Sequence, residues 1–252
     1  MPRLIAFLFG IACYALMFGT LLYLFGFLAN FGVPRGIDGA TAGSSGAALP
    51  IDLALLGLFG LQHSAMARPR FKAWWTRLVP PSVERSTYVL LSSAVLILLF
   101  LEWRPLPQLI WEAQARWAVV SWWALYLSGI ALLFAATFVI DHFDLFGLRQ
   151  VWRNLVRRPQ LSPDFTVAYF YQYIRHPIYL GWLLIFWATP HMTVGHLLFA
   201  GAMTTYILIA VRYEERDLVS LHGSDYVQYR RRVPMLFPRP GQRRYSTLRE
   251  LR

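Results

Sequence analysis

Titratable side chains flank two consecutive apolar runs in the second half of the sequence. Arg175 and His176 stand directly before Pro177, which opens one run, and Glu214 and Glu215 follow the next. Two antiparallel helices return a chain to the side from which it started, so we expect these four side chains at one edge. An imidazole paired with a carboxylate is suited to proton transfer, because the partner orients the ring and raises its basicity, and we expect such a pair among the titratable residues nearer the amino end.

Two further groups of polar side chains interrupt apolar sequence nearer the amino end. The segment "LQHSAMARPR" holds one group and "FVIDHFDLFG" holds the other. Polar residues are costly inside a membrane and usually serve a function there. The candidates for a general base are His63, Asp141, His142 and Asp144, with Glu84 and Arg85 nearby, and the sequence does not rank them.

Each of these groups also has a purely structural explanation. His63 can join two helices by a hydrogen bond, residues 141–144 can be solvated at a helix exit, and the two glutamates can pair with neighbouring arginines. The segment 175–177 can be a membrane anchor followed by a helix start, where proline is favourable. That explanation accounts for Pro177 but not for the convergence of a histidine and two glutamates on one edge.

Composition defines the elements that must position these groups. Hydrophobic residues make up 57% of the 252 residues and charged residues only 15%, whereas soluble domains carry about 25% charged residues. The sequence therefore predicts an all-α, polytopic helical membrane bundle with five or six membrane helices, a C-terminal helical hairpin and a cytoplasmic C-terminal segment. The apolar runs cover residues 4–29, 51–67, 87–103, 118–140, 178–190 and 194–213.

The basic residues predict the orientation of these helices. With the N-terminus inside, 21 of the 24 lysines and arginines fall in inside segments. Positive residues concentrate on the cytoplasmic side, so we expect a multi-pass protein of the bacterial inner membrane with both termini inside and the site facing the cytoplasm. The net charge of +11 is then explained by anionic headgroups of the lipid bilayer and not by nucleic acid.

Other features narrow the range of functions. A single cysteine, Cys13, excludes a disulfide framework, and the six histidines show no HExxH pattern, so we predict no metal site. Residues 36–50 predict a flexible external loop. We interpret 1–252 as one membrane domain, with four helices in 1–140 and a cofactor-binding region in 141–252. A haem or ion carrier that uses His63 and His142 is the non-enzymatic alternative.

Several fixed points of the sequence resemble a known superfamily. The pattern "RHPIYLG", a hydrophobic hairpin and then "EERDL" is similar to the isoprenylcysteine carboxyl methyltransferase superfamily of integral membrane enzymes. The segments "QHSAMARPRFKAWWTRLVPPSVERSTYVL" and "FAATFVIDHFDLFGLRQVW" resemble one branch, the bacterial methanethiol S-methyltransferases. The C-terminal part of the resemblance continues through His222, Gly223, Tyr226, Tyr229, Pro234 and Pro238.

The resemblance implies a site for S-adenosyl-L-methionine at the cytoplasmic ends of the last helices. Carboxylates and aromatic rings suit a cationic sulfonium and a ribose diol, and a helix N-terminus suits the carboxylate of the cofactor. Arg175 or His176 is the expected partner of that carboxylate. The cofactor residues so implied are Tyr171, Arg175, His176, Pro177, Tyr179, Leu180, Gly181, Glu214 and Glu215.

The upstream segments imply a small volatile thiol as the acceptor and dimethyl sulfide as the product. A thiol must lose a proton before methyl transfer, whereas a carboxylate is already ionised at neutral pH, so a cluster of bases favours the thiol. The alternative is methylation of a prenylated cysteine carboxylate or a lipid, and no obligate protein partner is implied. The expected catalytic residues are His63, Asp141 and His142, and the expected substrate contacts are Gln62, Ser64, Arg85 and Asp144.

Overall fold

A computed structural model describes residues 2–39, 46–160, 167–242 and 244–245. The described part of the chain is mainly helical, with one short antiparallel pair of strands. The elements in chain order are α1 (Arg3–Ala29), α2 (Ala48–Ala67), α3 (Pro69–Trp75), α4 (Glu84–Glu102), β1 (Leu109–Glu112), α5 (Arg116–Ile140), α6 (His142–Leu145), α7 (Leu148–Leu155), a 3₁₀ turn (Tyr169–Gln172), α8 (Pro177–Trp187), β2 (His191–Thr193), α9 (Val194–His222) and α10 (Ser224–Arg232).

Five of these helices are long and apolar enough to cross a membrane, namely α1, α2, α4, α5 and α9. The fifth apolar run of the sequence forms α8, which has 11 residues. At 1.5 Å per residue it is about 16 Å long, about half of the apolar thickness of a bilayer. The prediction of a polytopic helical membrane protein is therefore confirmed, with five long helices and one short apolar helix.

The connections between helices define two ends of the bundle. Strand β1 follows α4, and β2 lies between α8 and α9. These strands pair antiparallel with Glu112 opposite His191, so both connections lie at one end, which we call the strand end. Residues of the 36–50 loop join this end where Thr193 donates a hydrogen bond to Asp38. Residues 40–45 of that loop lie outside the described residues.

The opposite end collects the segments in which most basic residues lie, and we call it the basic end. Here Arg68 at the end of α2 pairs with Asp217 of α9 at 2.8 Å. Arg85 Nε at the start of α4 donates to the Leu145 carbonyl at 2.8 Å, and Gly10 of α1 packs against Val151 of α7. The described parts of the N-terminal and C-terminal segments therefore share one end of the bundle.

Helix α8 is held in place mainly by α5. A Cβ atom on Gly181 would lie 2.9 Å from the Gly129 carbonyl oxygen and 3.0 Å from the Leu133 backbone nitrogen. Small residues allow membrane helices to approach closely, and these two facing glycines do so for α5 and α8. The position of α8 fixes where its first turn meets α9, so this contact positions the candidate site.

Candidate functional site at the basic end of the bundle

The two ends of the predicted hairpin meet at Glu215. Its Oε1 atom lies 2.7 Å from both Nε and Nη2 of Arg175 and 3.1 Å from Nε2 of His176. The side chains of Arg175, His176 and Glu215 are 10%, 5% and 12% exposed. These contacts establish the proximity that the hairpin predicted, and they make His176 and Glu215 the imidazole–carboxylate pair of this end.

Arg175 has a second set of partners in the segment that follows α10. Its Nη1 atom donates to the carbonyl oxygens of Arg230 at 3.0 Å and Val233 at 2.5 Å. The backbone nitrogen atoms of Arg175 and His176 donate to the carbonyls of Pro234 and Met235. A guanidinium has five N–H donors, and these contacts occupy four of them. Arg175 therefore fastens the C-terminal segment to α9 and retains little capacity for a ligand carboxylate.

Glu214 faces a different partner from Glu215. The hydroxyl of Tyr179, in the first turn of α8, donates to Glu214 Oε2 at 2.6 Å. Hydrogen bonds to a charged acceptor are short and about twice as strong as neutral ones. Among the described residues, Oε1 of Glu214 has no hydrogen-bond partner, so one carboxylate oxygen of this half-buried residue is available to a ligand.

His63 lies in a cluster of hydroxyl groups between α2 and α4. Its Nε2 atom is 2.8 Å from the Tyr88 hydroxyl, and its Nδ1 atom is 3.2 Å from Ser92 Oγ. The ring stacks on Phe59 with centroids 5.1 Å apart, and the guanidinium of Arg85 lies 4.8 Å above the Tyr88 ring. His63 therefore bonds hydroxyls and no carboxylate within the described chain.

Tyr206 of α9 lies beside the part of α2 that carries His63. Ser64 Oγ lies 3.3 Å from the Tyr206 hydroxyl, and the Tyr206 ring packs on Gly60 of α2. Tyr206 and Tyr179 both pack against the largest buried apolar cluster of the bundle. Tyrosine side chains therefore lie at both groups, with Tyr88 at His63 and Tyr179 at Glu214.

The predicted group at 141–144 separates into different environments. His142 is buried, with Nε2 2.8 Å from the Tyr14 hydroxyl and Nδ1 2.9 Å from Thr137 Oγ1. Burial lowers the pKa of His142, and the negative charge of Asp141 offsets part of that effect. Asp141 pairs with Arg149 and accepts a hydrogen bond from the Asp144 backbone nitrogen, which caps α6. The Asp144 side chain is exposed.

The remaining predicted residues have varied positions. Pro177 is the first residue of α8, and Leu180 lines an apolar cavity on the side of α8. The Tyr171 hydroxyl donates to the Ala136 carbonyl at 3.4 Å. Gln62 Nε2 contacts Met66 Sδ, and its buried Oε1 atom has no partner in the described structure. In the part of the chain that the structure describes, no group of three metal-ligating side chains converges.

Sequence reasoning did not identify Tyr88 and Tyr206 as members of the site. Both lie within apolar runs, where tyrosine is common at membrane interfaces and carries no distinctive signal. A spacing signal was nevertheless present. Tyr88 follows Arg85 by one helical turn, and Tyr206 precedes Glu214 by two turns on the same helix, so each lies near a residue that the sequence had already indicated.

The fold and the site define an integral membrane protein with a carboxylate, imidazole and tyrosine site at one end of a helical bundle. The chain is 46% identical over 243 residues to a methanethiol S-methyltransferase of Crocosphaera subtropica, covering 96% of this chain and 95% of that protein. The chain belongs to the methanethiol S-methyltransferase family.

Two further relatives give the same result. Methanethiol S-methyltransferase 1 of Bradyrhizobium diazoefficiens is 49% identical over 94% of this chain and 83% of its own length. The methanethiol S-methyltransferase of Mycobacterium tuberculosis is 48% identical over 95% of this chain and 98% of its own length. No family model and no solved structure matches the chain. Membership of the family therefore rests on these full-length similarities.

Proposed function

We propose that this protein transfers the methyl group of S-adenosyl-L-methionine to methanethiol and releases dimethyl sulfide. The names of the relatives support the acceptor. The observation that carries the proposal is the junction of the "RHPIYLG" segment with the glutamate pair, where Tyr179 contacts Glu214 and His176 contacts Glu215. This junction combines carboxylate, imidazole and aromatic groups next to a helix N-terminus.

The donor set at this junction fits S-adenosyl-L-methionine. Glu214 offers a carboxylate oxygen without a partner among the described residues, and the ring of Tyr179 lies beside it. A carboxylate and a ring face both attract a cation, and a carboxylate also accepts hydrogen bonds from a ribose diol. The first backbone N–H groups of α8, after Pro177, suit the carboxylate end of the cofactor. When bound, the cofactor supplies a methyl group on a cationic sulfonium.

The residues around His63 are suited to accept the proton of the thiol. In one neutral tautomer, Nδ1–H of His63 donates to Ser92 Oγ and Nε2 accepts from the Tyr88 hydroxyl. We infer that the thiol S–H bond breaks as its proton passes to the Tyr88 oxygen, while the Tyr88 proton moves to His63 Nε2. The electron pair of that S–H bond remains on sulfur, which gives a thiolate. The bound cofactor would supply the methyl group to this thiolate, its sulfonium–methyl bond would break as the new carbon–sulfur bond forms, and S-adenosylhomocysteine would leave.

His142 and Asp141 fit a positioning role better than a place in this relay. The hydrogen bonds of His142 to Tyr14 and Thr137 join α1, α5 and α6, and the ion pair of Asp141 with Arg149 joins α6 to α7. The loop that contains them supports Arg85, whose guanidinium covers the Tyr88 ring. We propose that this loop sets the position of Tyr88.

The proposed site opens to the cytoplasm of a bacterium, with both termini inside. The excess of lysine and arginine in the segments of the basic end supports this orientation. S-adenosyl-L-methionine is made in the cytosol, which supports the same side. Reporter fusions to residue 252 and within the 36–50 loop test the orientation. Cytoplasmic activity at residue 252 and periplasmic activity in the loop are expected, and the reverse pattern contradicts it.

Headspace gas chromatography of the purified protein tests the proposed function. Methanethiol with S-adenosyl-L-methionine should give dimethyl sulfide, and samples without cofactor or with the Glu214→Gln variant should give little. A prenylated cysteine and a phospholipid serve as competing acceptors in parallel samples. Methylation of either acceptor, with no dimethyl sulfide from methanethiol, would replace the proposed acceptor and leave the cofactor site intact.

A further inference from the structure

A basic cavity lies at the basic end, in the segment that follows α10. Its volume is about 450 Å³, and within the described parts of the chain its lining includes three arginines and no acidic residue. Among the described residues, neither Arg232 nor Arg239 forms an ion pair with a carboxylate. The lining residues are Arg232, Arg239, Pro240, Gly241, Gln242, Arg244 and Tyr245.

An apolar cavity of about 380 Å³ lies along the neighbouring side of α8. Its lining comes from α5, α8 and α9 and from Phe237 in the C-terminal segment. From Leu180 to Trp187 the wall follows α8 over eight residues, a rise of about 10 Å. The lining residues are Trp122, Leu125, Leu180, Leu183, Leu184, Trp187, Ala188, Thr204 and Phe237.

A short stretch of the C-terminal segment joins the two cavities. Phe237 lines the apolar cavity and Arg239 lines the basic one, and their Cα atoms are at most about 7 Å apart because only Pro238 lies between them. Phe237 is 67% exposed, which is costly for a phenyl ring in water but favourable against hydrocarbon. The segment 237–239 therefore changes from apolar to cationic over the length of a lipid headgroup.

We propose that these two cavities form one binding site for an anionic phospholipid. The phosphate binds at Arg232 and Arg239, and one acyl chain follows α8 past Phe237 towards Trp187. The planar guanidinium group of arginine binds phosphate through two parallel hydrogen bonds. A groove on the membrane-embedded side of the bundle is accessible to acyl chains. A free phosphate would use the basic cavity alone, so the apolar cavity selects a lipid as the occupant.

This site shares Leu180 with the residues expected for the cofactor, and its C-terminal segment is bonded to the backbone of Arg175 and His176. The backbone of Arg175 and His176 donates hydrogen bonds to the carbonyls of Pro234 and Met235, just before Phe237. A lipid bound only by the folded chain stabilises it by mass action. Bound phospholipid should therefore stabilise the segment that also holds His176.

The test uses the full-length protein purified in a neutral detergent. Native mass spectrometry measures retention of a phosphatidylglycerol, a phosphatidylcholine with the same acyl chains, and glycerol 3-phosphate. We expect at least tenfold stronger retention of the phosphatidylglycerol than of the phosphatidylcholine, and no measurable competition by glycerol 3-phosphate. Equal retention of the two lipids would overturn the proposal, and so would equal competition by glycerol 3-phosphate, which would indicate an anion site without a chain.

Variants assign the site to its residues. The double variant Arg232→Gln/Arg239→Gln should lose the preference for phosphatidylglycerol, and Phe237→Ser should weaken retention of both lipids. The matched control Arg77→Gln/Arg158→Gln removes two exposed charges elsewhere and should retain the preference. Circular dichroism checks that each variant is folded. A folded Arg232→Gln/Arg239→Gln variant with unchanged preference would contradict the assignment, whatever the outcome for methyl transfer.

Discussion

The hydrogen bond from Tyr179 to Glu214 gives the most direct prediction for the cofactor site. Tyr179→Phe removes one oxygen atom and leaves the ring in place. The bond is 2.6 Å long, and a hydrogen bond to a charged group contributes about 1.5–3 kcal/mol. The bond orients the carboxylate that is to meet the cofactor, so its loss lets Glu214 adopt other rotamers. We therefore expect S-adenosyl-L-methionine binding to weaken about tenfold, which corresponds to about 1.4 kcal/mol. Glu214→Gln should weaken it by at least as much.

Isothermal titration calorimetry on purified protein measures this effect. Tyr173→Phe is the matched control, because Tyr173 is 43% exposed and lies in the same segment. We expect unchanged affinity for the control and a thermal midpoint within a few degrees of wild type for all three variants. If folded Tyr179→Phe and Glu214→Gln proteins bind the cofactor as tightly as wild type, the assignment of the glutamate pair and α8 to the cofactor is wrong.

Three further predictions concern Arg175, Tyr88 and His142. Arg175→Ala should destabilise the fold by about 3–5 kcal/mol, because it removes the guanidinium that pairs with the buried carboxylate of Glu215 and leaves His176 as its nearest partner. Thermal unfolding measures the loss, and limited proteolysis should cut the C-terminal segment faster. Tyr88→Phe should lower kcat at least about tenfold and leave the Kd for the cofactor unchanged. If catalysis and cofactor affinity fall by the same factor, the proposed proton transfer through Tyr88 to His63 is refuted. Burial lowers the pKa of His142 in the folded state, so the stability that neutral His142 contributes is complete above about pH 6.5 and is lost as the pH falls. The free energy of unfolding, measured at pH 8 and pH 5.5, should therefore fall more steeply for wild type than for His142→Gln. Parallel decreases for the two proteins would contradict this.

The helices were largely predictable from the sequence because a membrane requires long apolar runs. The apolar run at 178–190 was too short for the sequence to decide between five and six membrane helices. In the structure this run forms α8, which has 11 residues. The strand pair β1–β2 was not predicted, since four residues such as Leu109–Glu112 carry too little periodicity to indicate a strand. Their pairing depends on bringing together two connections that are about 80 residues apart.

The site was predictable where topology alone decided it and not where side-chain direction decided it. A hairpin must return to its own side, so the contact of His176 with Glu215 followed from the order of the runs. Among the described residues both imidazoles, His63 and His142, bond hydroxyls, of Tyr88 and Tyr14, so the structure does not show the imidazole–carboxylate pair that was expected among the candidates for the base. Those hydroxyls come from other helices, and sequence spacing does not indicate which faces of two helices meet.

The methyl group is expected to pass from S-adenosyl-L-methionine to methanethiol at this site. Incubation of the purified protein with methanethiol and a cofactor that carries a trideuterated methyl group tests it by mass spectrometry of the headspace. We predict dimethyl sulfide with one trideuterated methyl group as the sole labelled volatile product, and its loss in Glu214→Gln. Unlabelled dimethyl sulfide, or label in lipid with none in the headspace, would contradict the claim.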